Sequence, residues 1–99
     1  MSLTKSEKEA TVRELHENLA QSDLTLDEIA QDLGTTPEVI EEVSNLRVKS
    51  IEQPWVLRNY LIKKIISHGK EPISFTVLVG DYHNYSFLNS DFIDKGKME

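Results

Sequence analysis

The side chains of this sequence that could do chemistry are few and scattered. His16, His68 and His83 stand in unrelated contexts, with no spacing that would bring two imidazoles onto one metal ion. The chain has no cysteine, which removes thiolate zinc sites, cysteine nucleophiles and disulfides together. Gly34, Gly69, Gly80 and Gly96 never cluster into a phosphate-cradling loop, and no nucleophile motif is present. One polar and aromatic concentration, Asp81, Tyr82, His83 and Tyr85, could line a small pocket, but a turn capping a core explains it as well. The expectation is a protein that is not an enzyme, with no catalytic residues, no metal and no cofactor.

Charge offers more than catalysis does. Residues 1–46 carry three basic and eleven acidic side chains, a net of −8. Residues 47–70 carry Arg47, Lys49, Arg58, Lys63, Lys64 and Lys70 against Glu52 alone, a net of +5, and the tail returns to −3. The total of −6 opposes non-specific attraction to nucleic acid or anionic lipid, so any such contact must come from the one basic stretch.

The element that positions these charges is Leu24 to Leu46, which reads as two short helices joined by a tight turn. Ile29, Ala30 and Leu33 precede Gly34, and Ile40 and Val43 follow it, at spacings that let all five face one shared core. Gly34 can take the positive φ that ends the first helix, Thr36 can cap the second, and Pro37 suits its first position. Thr25 with Glu28 supplies a capping box for the first helix. A larger side chain at Ala30 would hold the two helices apart. This spacing resembles a helix-turn-helix, in which the second helix enters the major groove of DNA. That second helix, however, turns Glu38, Glu41, Glu42 and Asn45 outward, and three carboxylates there would meet phosphates without a compensating cation.

Around this unit the pattern predicts helices over 4–22, 25–33, 37–46 and 54–68. Thr4 and Glu7 form a capping box for the first, whose apolar stripe is Val12, Leu15 and Leu19, with Ala20 and His16 at one edge. Its opposite face, Glu7, Glu14, Glu17 and Asn18, reads as solvated. Pro54 reads as the first residue of the fourth helix, which ends at Gly69. Trp55, Leu57, Leu61, Ile62, Ile65 and Ile66 sweep about half of that helix's circumference. This arc suits either a central helix covered on two sides or one shared between two subunits, and a homodimer is expected through it and the segment that follows. Arg58 projects into the arc, where an ion pair to an N-terminal acid is the expected partner.

After Pro72 the alternating ISFTVLV predicts a strand over 73–79, and the aromatic YHNYSFL predicts its return over 84–88 as a hairpin. A last helical turn is expected from Ser90 to Gly96. The fold class is therefore mainly α, with a helix-turn-helix core of about four helices followed by a small C-terminal β-hairpin. All of residues 1–99 form one domain. No apolar run reaches membrane-spanning length and the N-terminus MSLTKSEKEA is charged, so a cytoplasmic protein without membrane contact is expected.

Trp55, Leu57, Arg58, Tyr60 and Leu61, then Pro72, Phe75 and Thr76, then Gly80, Asp81, Tyr82, Tyr85 and Phe87 resemble a family of short bacterial proteins classed as a domain of unknown function. The resemblance runs over nearly the whole length. It implies a bacterial origin and supports the helical N-terminal half, and it carries no activity or site residue with it.

Two functions of different classes follow from the sequence. In the first, the chain is a dimeric, non-catalytic DNA-linked transcriptional regulator: Thr35, Thr36 and Asn45 approach bases or backbone, and Arg47, Lys49, Lys63 and Lys64 hold phosphates. In the alternative, it is a protein-interaction module in which Glu38, Glu41 and Glu42 dock on a basic partner. The base rate of bacterial helix-turn-helix proteins favours the first and the charge distribution favours the second. The sequence reading takes the first.

Overall fold

A computed structural model of the chain describes residues 4–47, 52–79 and 93. The elements among the described residues are the helices α1 (Lys5–Ser22), α2 (Leu26–Leu33), α3 (Pro37–Ser44) and α4 (Glu52–Ser67). The caps explain where the first three begin. Thr4 and Glu7 close a reciprocal capping box on α1, Thr25 and Glu28 do the same on α2, and the Thr36 hydroxyl accepts from the Val39 amide with Pro37 in the first turn of α3.

The helix ends are equally local. Gly34 takes φ 73° and lets the Thr35 amide donate to the Ala30 carbonyl at 2.9 Å, which stops α2. Asp23 ends α1 at φ 58°, and Lys70 pairs with its carboxylate. The Lys70 hydrogen bond and charge hold the Asp23 carboxyl below the usual carboxylate range. Leu46 ends α3 at φ 57°, a conformation that usually falls to glycine, while the Arg47 amide donates to the Glu42 carbonyl at 2.8 Å.

Two boundaries differ by two residues from the expected ones: α3 ends at Ser44 and not at 46, and α4 starts before Pro54. Helix α4 begins at Glu52, which makes Pro54 its third residue. The first turn of a helix has no intrahelical acceptors for its amides, so a proline costs nothing there even beyond the first position.

Helix α1 packs on α4, α2 on α3, and α3 on both α4 and α1. The interior between them holds Leu15 from α1, Ile29, Ala30 and Leu33 from α2, Ile40 and Val43 from α3, and Leu57, Leu61 and Ile65 from α4. All five residues expected to join the two short helices are buried. Trp55 is covered within the chain, Ile62 is partly buried, and Ile66 is 58% exposed, so most of the α4 arc is spent on intrachain packing.

The expected mainly-α fold with a C-terminal β-hairpin is corrected to an all-α fold among the described residues. Residues 73–79 form bends and irregular chain, not a strand, and the expected return over 84–88 lies outside the described residues, as does the last turn apart from the buried Ile93.

The reason lies on α1. The Asn18 side chain donates to the Ile73 carbonyl at 3.0 Å and accepts from the Ile73 amide at 2.9 Å. One turn earlier Glu14 accepts from the Thr76 amide at 3.0 Å and from the Thr76 hydroxyl at 2.6 Å. At the other end Gln21 donates to the Glu71 carbonyl at 2.9 Å. Anchors four residues apart on a helix are separated by about 6 Å. Three extended residues would span about 10 Å, more than that separation, and the segment bends over residues 76–78, directly after the Thr76 anchor. Its buried residues accordingly fall three apart, at Phe75 and Leu78, while Ile73 and Val79 stay partly exposed.

Candidate functional site

The outward face of α3 is the part of the described surface with the clearest chemical character. Ile40 and Val43 turn inward, fully buried, and this orients Glu38, Glu41 and Glu42 to solvent. At about 100° per residue the three carboxylates and Asn45 fall on one stripe. Among the described residues none of the three carboxylates makes an ion pair.

Three of the residues expected to touch DNA, Thr36, Asn45 and Lys64, are engaged within the chain. The Thr36 hydroxyl caps α3 by accepting from the Val39 amide at 3.3 Å. The Thr35 hydroxyl is buried and has no hydrogen-bond partner among the described residues. The Asn45 side-chain amide donates to the Glu41 carbonyl at 2.9 Å. Lys64 lies 3.8 Å from the Asp32 carboxylate and 5.8 Å from the centre of the Tyr60 ring. Arg47 and Lys63 are exposed, and Lys49 lies outside the described residues. The structure thus places Thr35 and Thr36 at one end of α3 and Asn45 and Arg47 at the other, about 12 Å of helix apart, with Lys64 tied to the end of α2.

Tyr60 belongs to the same tie. Its hydroxyl donates to Asp32 at 2.5 Å, and burial, reinforced by Asp32 and Glu28, pushes its pKa well above the usual phenol value.

A shallow depression of about 360 Å³ opens beside the C-terminal end of α3, lined by Lys8, Glu9, Val12 and Arg13 from α1 and by Asn45 and Leu46. Asn45 belongs both to the depression and to the acidic stripe, so the two are continuous.

Sequence reasoning missed two α1 residues. Glu14 and Asn18, expected on a solvated face, are 3% and 0% exposed because the 71–76 segment covers them. Their signal was the run Glu14, Asn18 and Gln21, three hydrogen-bonding side chains on one helical face. Arg58, expected to pair with an N-terminal acid, lies over the Trp55 ring at 5.0 Å and the Phe75 ring at 5.5 Å. It also donates to the Leu78 carbonyl and to Asn59, each at 2.6 Å. These contacts fasten the C-terminal segment at its far end.

His16 and His68 are both exposed, and His16 therefore does not pack at the edge of the core. No group of three or more His, Asp or Glu side chains that could hold a metal occurs among the described residues. The aromatic cluster Asp81, Tyr82, His83 and Tyr85 lies outside them. No described helix is long and apolar enough to cross a membrane.

Residues 1–89 match a family described as an uncharacterized protein conserved in bacteria (DUF2316), and the chain belongs to that family. No curated protein and no solved structure matches the chain.

Proposed function

We propose that this member of the bacterial family is a non-catalytic binding module whose α3 face docks on a basic surface of a partner protein. The observation that carries this reading is the stripe of Glu38, Glu41 and Glu42, exposed on one helix with no ion pair among the described residues. A cationic partner would gain from all three carboxylates, chiefly in encounter rate and orientation. A phosphate backbone would be repelled by the same three.

The DNA-linked regulatory reading rests on the α2–turn–α3 spacing, and it would need Thr35, Thr36, Asn45 and Lys64 to face outward. The hydrogen bonds that Thr36 and Asn45 already make, the Lys64–Asp32 contact and the burial of the Thr35 hydroxyl weigh against it. Arg47 and Lys63, the exposed cations of that set among the described residues, face three carboxylates on α3.

The test is a paired capture from bacterial lysate, with and without nuclease treatment, using the wild-type chain and an E38Q/E41Q/E42Q variant. Basic proteins held by the wild type, released by salt and missing from the variant are the expected result. Equal retention by both chains, or retention that disappears with nuclease treatment, would overturn the proposal.

A further inference from the structure

The surface that α3 offers does not end with its last carboxylate. Asn45 follows Glu38, Glu41 and Glu42 on the same stripe and forms part of the wall of the depression next to it. The floor there is apolar, made by Val12 of α1 and by Leu46, while Lys8, Glu9 and Arg13 stand at the rim.

Leu46 is held at φ 57°, where glycine is the ordinary occupant. A glycine there would satisfy the same terminal hydrogen bonds with less strain but would leave no side chain in the depression. The strained position is therefore the one that supplies the floor.

We infer that this depression receives a single apolar anchor, of the size of a leucine, phenylalanine or tryptophan side chain, from the same partner whose basic residues face Glu38, Glu41 and Glu42. The inference rests on the proposed protein-docking function of α3 and adds the partner's pattern. From Glu38 to Asn45 the helix rises about 10 Å, so the partner carries its cations within about two helical turns of its anchor. An apolar side chain seated in a pocket beside a charged rim is the arrangement from which interfaces draw most of their affinity.

The probes are two synthetic helical peptides with lysines spaced to face the three glutamates and, one turn further on, either tryptophan or alanine. Binding is followed by amide chemical shifts of the full chain at low salt. With the tryptophan peptide, shifts at Glu38, Glu41 and Glu42 should extend to Val12, Asn45 and Leu46, and the alanine peptide should bind about tenfold more weakly. L46G, which relaxes the backbone, should remove the advantage of tryptophan while leaving the lysine contacts. V12Q is a second variant with the same expected loss.

Equal affinity of the two peptides, with shifts confined to Glu38, Glu41 and Glu42, would overturn the anchor site and leave the acidic docking face intact. The absence of binding by either peptide would overturn the docking face as well.

Discussion

Asn18 and Ile73 bond each other twice, the side chain of one giving and taking from the backbone of the other at 3.0 and 2.9 Å. Fully buried Asn18 thereby does for Ile73 what a neighbouring strand would do, and the C-terminal segment needs no sheet. N18A would strand both backbone groups of Ile73. We expect it to lower the stability to urea by about 2 kcal/mol or more, with faster hydrogen exchange at the Ile73 amide. A loss below about 0.5 kcal/mol would mean that the segment is held by other means.

Glu14 and Thr76 make the second anchor of the same segment. T76V removes the hydroxyl that donates to the Glu14 carboxylate at 2.6 Å and keeps the amide that donates at 3.0 Å. It should cost about 1–2 kcal/mol, because a buried carboxylate loses one of its donors. T76S keeps the hydroxyl and should retain most of the stability. Identical denaturation midpoints for the two variants would argue against the anchor.

The turn between α2 and α3 makes two opposite predictions. Ala30 is 2% exposed where the helices meet, and A30L should overpack the contact by about 1–3 kcal/mol. Thr35 buries a hydroxyl without a partner among the described residues, so T35V should be neutral or stabilising by about 1 kcal/mol. Thermal melts should fall for A30L and hold or rise for T35V. Loss of the native partner's binding in T35V would instead indicate that the hydroxyl serves a contact.

Two ties give stability a dependence on pH at opposite ends of the scale. Asp23 is held below the ordinary carboxylate value by Lys70, so its contribution is present at neutral pH and lost as pH falls through and below that range. D23N tolerates the left-handed backbone and should flatten this acid limb. Tyr60 is raised above the ordinary phenol value by burial and by Asp32, so its contribution is complete below about pH 10 and lost as pH climbs above it. Y60F should reduce the fall in alkali. Denaturation midpoints measured across pH for wild type and the two variants check both signs.

The helices could be read from the sequence because their signals are local. Thr25 with Glu28, Gly34, and Thr36 with Pro37 each fix a boundary within four residues, and the pattern of Ile29, Ala30, Leu33, Ile40 and Val43 could not be buried in another way. The C-terminal segment was misread because its alternation is genuine while its hydrogen-bond partners lie over fifty residues away on α1. The direction of α3 was legible too, but not the burial of the Thr35 hydroxyl or the commitment of Lys64, since these depend on what another element places opposite them. Asp32 became the partner of Lys64 only through the packing of α2 and α4.

The central claim is that α3 faces a protein and not a nucleic-acid groove. It is tested most directly by titrating sheared bacterial genomic DNA with the full chain at low salt, alongside E41Q/E42Q and K63Q/K64Q variants. The account predicts no retardation by the wild type and none that depends on Lys63 and Lys64. Retardation by the wild type, strengthened in E41Q/E42Q, weakened alike for all sequences in K63Q/K64Q, and falling with log salt at about −0.9 per phosphate neutralised, would contradict it.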